Sequence, residues 1–314
     1  MIVVTGGAGF IGSNLVYGLN RRGITDILIV DSLKNSAKQR NLNALKFVDF
    51  IDKKDFLEKL SSFKRISVIF HNGACSNTME NDGEYIMRNN YDYSKALFHF
   101  SIENKVRFIY ASSASVYGNG TRGFKEDIEC EYPLNVYAFS KYLFDQYVRK
   151  NWSRINTQVA GLRYFNVYGP QENHKGKMAS VINHFHNEIK NEGKMKLFEG
   201  SENFLRDFIY VEDVVSVNLF FFDNPAKSGI FNCGTGKAES FLKIAEIMKG
   251  IYQDARIDFI PFPESLKGKY QTFTEANLEK LRQIGYNRKF TSLEDGVKGY
   301  CKFLMEQDGY LTKG

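Results

Sequence analysis

Short apolar runs alternate with longer mixed stretches through the first half of the chain. Ile2–Val4, Ile27–Val30, Val68–Phe70, Phe108–Ala111 and Val159–Arg163 have the length of strands. Ser13–Arg22, Tyr91–Asn104 and Tyr137–Asn151, which lie between them, have the length of helices. Strands alternating with helices predict an α/β fold, a doubly wound parallel sheet covered on both faces. Beyond Tyr168-Gly169-Pro170 the alternation loses its regularity. Gly and Pro mark a turn there, and a smaller mixed α/β lobe is expected to begin. Gly229–Cys233 reads as a strand that returns to the first sheet. The expected division places residues 1–167, with returning segments near 208–235, in the larger lobe. Residues 168–207 and 236–314 make the smaller one.

The first strand runs into Thr5-Gly-Gly-Ala-Gly-Phe-Ile-Gly-Ser-Asn14. Gly6, Gly9 and Gly12 are spaced by threes, and Gly7, Gly9 and Gly12 satisfy GxGxxG. A glycine triplet alone says little. Between a strand and an amphipathic helix it describes a turn whose backbone can approach a pyrophosphate, held by the free N–H groups of the helix N-terminus. The larger lobe therefore reads as a Rossmann-type dinucleotide-binding domain. Asp31 closes the second strand, where an acid holds the adenosine ribose hydroxyls and favours NAD. Lys34, Lys38 and Arg40 follow closely and could instead hold the 2′-phosphate of NADP, so both cofactors stay open. Val68–Ser76 reads as a strand ending in a loop of small residues, where Gly73 and Ala74 let backbone lie against the cofactor. Asn89 and Asn90 could each bond that loop, touch the cofactor or cap the next helix.

The chain is 43% hydrophobic and 25% charged, with a net charge of +6. Its basic residues are dispersed, which argues against a nucleic-acid surface and suits a small anionic ligand. No run approaches the ~20 apolar residues of a membrane span. The N-terminus enters its first strand without a basic or long apolar leader, so no secretory signal is expected. Cys75, Cys130, Cys233 and Cys301 form no CxxC pair, which fits a reduced, cytoplasmic setting. His184 and His186 fall on different faces of a helix, so no metal site is expected.

Tyr137-Ala-Phe-Ser-Lys141 places a phenol and an amine one turn apart on a helix face. A free tyrosine titrates near ~10, and an adjacent ammonium favours its phenolate. A shift of about 3 units needs roughly 4 kcal/mol. Such a tyrosine could take a hydroxyl proton while hydride leaves the same carbon. Upstream, Phe108-Ile-Tyr-Ala-Ser-Ser-Ala-Ser-Val-Tyr-Gly118 ends a strand on serines. Ser113 could polarise the substrate oxygen; Ser112 and Ser115 are rivals for that role.

In order and spacing, the glycine loop, the serine and YxxxK resemble the extended short-chain dehydrogenase/reductase family. The resemblance continues through Leu162–Pro170, Arg206–Asp213 and Phe231–Gly236. Dehydratases of that family carry an Asp-Glu pair where this chain has Ala114 and Ser115; without that acid and base, elimination lacks its proton relay. The chain is more similar to the branch that epimerises nucleotide-linked sugars, specifically an ADP-linked heptose of lipopolysaccharide core synthesis. His71–Thr78, Asn173–Ser180, Leu197–Phe204 and Leu266–Phe273 are the distinctive segments.

The resemblance implies a cytoplasmic homo-oligomer, a homopentamer, holding NADP. It implies Tyr137, Lys141 and Ser113 at the reacting carbon, with Lys175 as a second acid/base facing Tyr137 across the sugar. It puts Gly6, Gly9, Phe10, Ile11, Gly12, Asp31, Ser32, Lys38, Lys53, Asn72, Gly73, Ala74, Cys75, Ser76, Asn89, Lys141, Val167 and Lys175 on the cofactor. It puts Ser113, Asn166, Lys177, His184, Phe198, Glu199, Gly200, Ser201, Arg206 and Tyr270 on the substrate. Lys177 stands where that branch can have serine. By residue type alone, Lys175 is a surface lysine, and Arg206 is equally a partner for Asp207 or Asp213 or a bidentate grip on a diphosphate. Another sugar-nucleotide epimerase, a net oxidoreductase and a non-catalytic dinucleotide sensor are the competing functions.

Overall fold

The computed structural model describes residues 1–63, 65–264 and 271–313. Its strands are β1 (Ile2–Thr5), β2 (Ile27–Asp31), β3 (Asp49–Asp52), β4 (Val68–His71), β5 (Arg107–Ser113), β6 (Val159–Tyr164), β7 (Asn166–Tyr168), β8 (Lys194–Phe198), β9 (Leu205–Tyr210), β10 (Gly229–Cys233), β11 (Ala238–Ser240) and β12 (Arg256–Ile260). Its helices are α1 (Phe10–Asn20), α2 (Lys53–Glu58), α3 (Gly83–Ile86), α4 (Tyr93–Asn104), α5 (Val136–Lys150), α6 (Val181–Glu192), α7 (Val211–Asp223), α8 (Phe241–Ile251), α9 (Glu279–Gln283) and α10 (Leu293–Gln307).

Seven strands form one sheet in the order β10-β6-β5-β4-β1-β2-β3, every pair parallel. Adjacent residues in a strand point to opposite faces, and here both faces are apolar. Val4, Ile29 and Phe70 pack with Leu15 and Val16 of α1 and with Val214 and Phe221 of α7. Val3, Leu28 and Ile69 pack on the other side with Phe98 of α4 and Phe144 of α5. That double covering is why these strands read as unbroken apolar runs. The winding direction reverses between β1 and β4, which opens a crevice at the carboxyl ends of the strands.

β7 pairs parallel with β9, β11 antiparallel with β9, and β12 parallel with β8. A separate core joins these smaller sheets to α6, α8 and α10, with Phe185, Leu197, Met248 and Leu304 among its members.

Three local expectations need correction. The edge strand β3 was not expected, because Asp-Phe-Ile-Asp is short, polar at both ends and only half covered. α1 begins at Phe10 rather than Ser13, since Gly9 is the last extended residue of the loop. The helix expected from Tyr91 is preceded by α3 and a π-turn over Met87–Asp92. Among the described residues, no helix is long and apolar enough to cross a membrane.

Candidate active site

Where β1 turns into α1, backbone touches backbone. Gly6 has φ +68°, and a Cβ there would lie 2.7 Å from the Asn72 carbonyl carbon and the Gly73 nitrogen. A Cβ on Gly12 would lie 2.1 Å from the Gly6 oxygen. Only glycine lets these segments close on each other. Gly9 caps α1 without a side-chain hydrogen bond, and the first turn holds no acid. Its N–H groups and dipole are therefore available to an anion in the crevice. Phe10 is buried beside them, and half-buried Ile11 and Val167 pack against the core below.

Asp31 accepts the Ala8 N–H at 2.9 Å, the Ser32 N–H at 2.7 Å and the Lys38 amine at 2.8 Å. Lys53 is half-buried; burial lowers its pKa first, then Lys38, while Asp31 opposes. Its amine donates to Asn89 Oδ1. Of the basic groups that the sequence set against the acid, Lys38 pairs with it, whereas Arg40 lies over the Tyr310 ring.

The loop after β4 is shaped by a hydrogen-bond relay. Gly73 N–H donates to Thr5 Oγ1 (3.1 Å), which pairs with His71 Nδ1 (2.6 Å); His71 Nε2 pairs with Ser94 Oγ (2.8 Å). Burial, with Lys141 second, pushes His71 down to about 3, so the imidazole is neutral. The relay assigns its proton to Nε2. Asn90 clamps the same loop from both sides, accepting Cys75 N–H at 2.7 Å and donating to Cys75 O at 3.0 Å. Asn90 therefore holds the loop, and Asn89 faces Lys53. Ala74 and Ser76 remain exposed around Cys75.

Asn135 caps α5 through the Ala138 N–H, and one turn in stand Tyr137 and Lys141. The Tyr137 phenol faces Ser113, which favours its ionised form. Ser112, one residue back on β5, turns to the other face and donates to Asp145 at 2.9 Å. Ser115 donates to Ser113 Oγ at 2.9 Å. Of the rival serines, Ser113 faces the phenol. The expected electrostatics need correction. Burial raises the phenol pKa, and the influence opposing it comes from Ser113. The Lys141 amine is directed to Ala111 O at 2.9 Å, and burial brings it down to about 8, against the pull of Asp145.

Lys175 lies in the short helical stretch Asn173–Met178. Its amine is 5.0 Å above the Phe10 ring and 3.6 Å from Glu172. This lysine is thus beside the start of α1 rather than out in solvent. Asn41 fastens the stretch to the glycine loop, donating to Ala8 O (3.0 Å) and Gln171 O (3.1 Å) and meeting His174 Nδ1 (3.2 Å). Lys177 is exposed, and His184 Nε2 lies 3.3 Å from its carbonyl.

Phe198–Ser201 forms the turn after β8, with Gly200 at φ +80°. Ser201 Oγ is buried without a hydrogen-bond partner among the described residues, and Glu199 is exposed. Arg206 is buried against the Phe241 ring, 5.7 Å from its centroid. Asp207 accepts Thr235 N–H and Oγ1 (both 2.7 Å), Gly236 N–H (2.9 Å) and Ala276 N–H (3.0 Å). Asn166 donates to Asp207 O and to Thr274 Oγ1, both at 3.2 Å. Tyr270, and most of Leu266–Phe273, lie outside the described residues. Sequence reasoning missed Asn41, the backbone donors gathered by Asp207 and the His71 relay, because each joins residues far apart in the chain.

A glycine-built anion cradle at the switch point of a parallel sheet, next to a serine–tyrosine pair and a buried amine, defines the class: a dinucleotide-dependent enzyme. A profile of the NAD dependent epimerase/dehydratase family matches residues 2–234, and the chain belongs to that family. It is 61% identical to an ADP-L-glycero-D-manno-heptose-6-epimerase of Brachyspira hyodysenteriae, over 99% of this chain and 100% of that protein. Among solved structures it resembles the Helicobacter pylori ADP-L-glycero-D-manno-heptose-6-epimerase, with TM-score 0.87, 32% identity, and 97% and 96% of the two chains covered. It also resembles a Thermus thermophilus UDP-glucose 4-epimerase in complex with NAD, with TM-score 0.83, 25% identity, and 98% and 99% covered.

Proposed function

We propose that this chain is an isomerase that inverts C6 of the heptose in ADP-D-glycero-D-manno-heptose, giving ADP-L-glycero-D-manno-heptose for lipopolysaccharide core synthesis. The observation that carries the chemistry is that Ser113 faces the Tyr137 phenol, with the Lys141 amine one turn along the same helix. The 61% identity to a heptose epimerase supports the substrate.

A carbinol carbon is too weak an acid to invert by deprotonation, so inversion passes through a ketone. A bound nicotinamide supplies a reversible hydride acceptor and a positive charge near the phenol. Ser113 and Tyr137 hold the reacting hydroxyl, and Tyr137 takes its proton. The hydroxyl points the opposite way in the other epimer, and Lys175 exchanges the proton there. Arg206 holds the diphosphate with its planar fork. Asn166, Lys177, His184, Phe198–Ser201 and Tyr270 surround the sugar and nucleotide.

The cradle fits a dinucleotide, because Gly6 and Gly12 let the turn close on its own neighbours and the uncapped N-terminus of α1 keeps its N–H groups free for a pyrophosphate. NADP is the cofactor of this reading. Lys38 already neutralises Asp31, which leaves Lys53 to meet a 2′-phosphate. The cofactor lobe is residues 1–167 with 208–235 and the substrate lobe 168–207 with 236–314, with β7 and β9 straddling that boundary and Leu281 of α9 reaching back into the larger core. A cytoplasmic homopentamer completes the proposal.

Proton NMR of the product from ADP-D-glycero-D-manno-heptose, with no steady rise in reduced nicotinamide, tests the assignment; net accumulation would make the protein an oxidoreductase. Tyr137→Phe is expected to fold and retain cofactor while turnover disappears. Mass analysis of cofactor released by denaturation decides between NADP and NAD, and sedimentation gives the subunit number.

A further inference from the structure

Behind the serine–tyrosine pair lies a charged cluster sealed from solvent. The Arg163, Asp145 and Glu131 side chains are 0% exposed. Asp145 Oδ1 accepts the Tyr110 hydroxyl at 2.9 Å, and Oδ2 accepts the Ser112 hydroxyl and Arg163 Nε, both at 2.9 Å. Arg163 also donates to Tyr117 Oη (2.9 Å) and Glu131, and Arg149 caps Glu131 at 2.7 Å. Two cations and two carboxylates balance, with every carboxylate oxygen occupied.

Replacing such a cluster by apolar side chains can be neutral or stabilising, so stability alone does not account for it. Its register does. Tyr137, Lys141 and Asp145 follow at intervals of four along one face of α5. Each meets one of three consecutive residues that end β5: Tyr137 faces Ser113, Lys141 donates to Ala111 O, and Asp145 accepts from Ser112. Holding Ser112 inward turns Ser113 outward, because neighbours on a strand face opposite ways.

We propose that Asp145 is a positioning residue of the reaction: backed by Arg163, it sets the register of Ser113 on Tyr137 and supplies the countercharge to the Lys141 amine, without touching substrate or cofactor. The titratable groups facing that amine are Asp145 and Tyr137 on α5, Cys75 after β4 and His71 on β4. Asp145 is the carboxylate among them. The inference rests on the roles proposed for Tyr137 and Lys141.

In the cofactor-loaded full chain, Asp145→Asn should lower kcat roughly 10- to 100-fold, the scale of a small misplacement at the reacting centre, with KM little changed. The alkaline limb of the pH–rate profile should move to lower pH, because the uncompensated amine loses its proton earlier. Acylation of Lys141 followed by peptide mass against pH should move the same way, and it needs no substrate, so it remains readable even if the heptose assignment fails. Ser112→Ala, which loses the tether and keeps the charge, should lower kcat severalfold and leave the limb in place. A folded Asp145→Asn with normal kcat and an unmoved Lys141 titration overturns the proposal. Should that variant not fold, unchanged kcat in Ser112→Ala with Tyr110→Phe overturns it equally.

Discussion

Along the β1–α1 turn the crevice wall is backbone: Gly6 closes on Asn72 and Gly73, and Gly12 on Gly6, with no room for a side chain at either. From Gln171 to Asp207 the wall is side chains fastened across long stretches of sequence. Asn41 reaches Gln171 and His174, and Asp207 gathers N–H groups from 235, 236 and 276. The backbone wall has no side chain that can adjust, whereas the side-chain wall is joined by hydrogen bonds that can be removed one at a time without touching the sheet. The two should therefore fail differently.

The largest effect is expected at Gly12. In Gly12→Val the Cβ meets the Gly6 oxygen, part of a backbone that is itself packed on the next loop. Neither can yield cheaply. Cofactor content per chain should fall to nothing, and soluble yield with it; a cofactor-loaded variant would mean that the turn is more pliant than its contacts imply. Asp207→Ala is the counterpart on the other wall. It strands the buried Ala276 N–H and the part-buried donors of Thr235 and Gly236, a loss of roughly 2–3 kcal/mol. Urea midpoints should drop accordingly while cofactor remains bound, because the glycine turn is untouched. Equal loss of cofactor in both variants would erase the distinction between the walls.

That distinction also explains what the sequence disclosed. The apolar runs at β1, β2, β4, β5 and β6 are legible because both faces are covered, and the glycine turn because its spacing is dictated by backbone contact. β3 was not, since an edge strand need satisfy only one side. Asn89 and Asn90 were equivalent on paper. The π-turn over Met87–Asp92 places one on Lys53 and the other on Cys75, and a helix read at regular pitch cannot show this. Asp207 was weighed only as a partner for Arg206, since side-chain charge is what a sequence displays; its donors are backbone N–H groups of residues far along the chain. The Tyr137–Lys141 spacing was plain, but not that the amine is spent on Ala111 O.

The His71 relay joins the backbone wall to the sheet and gives it a pH dependence. The folded pKa is about 3 against a free value of 6.5. Between those limits the unfolded chain binds a proton that the folded protein refuses. Stability present above pH 6.5 is thus lost as pH falls towards 3, at up to about 1.4 kcal/mol per unit. His174, lowered to about 4 by burial and then by Lys38 and Lys175, adds in the same direction on the other wall. Denaturant midpoints between pH 7 and pH 4 should fall less steeply for His71→Gln than for the parent chain; parallel curves would remove His71 as the cause.

The smallest effect concerns the one choice that the backbone wall leaves to side chains. Asp31 and Lys38 form an ion pair at 2.8 Å in which the acid is nearly covered and the lysine partly exposed. The Ala8 and Ser32 N–H groups still hold the carboxylate when the lysine is gone, so Lys38→Met should lower the melting temperature only modestly. It should move cofactor choice. Without the lysine, the Asp31 charge is directed at the position of a 2′-phosphate and repels it, while the same carboxylate becomes free to accept ribose hydroxyls. A tenfold change of preference from NADP towards NAD corresponds to about 1.4 kcal/mol, within reach of one such charge. The ratio of NADP to NAD released on denaturation measures it. If the ratio holds, discrimination belongs to Lys53, whose amine is half-buried on Asn89, and the double variant with Lys53→Met should then shift it.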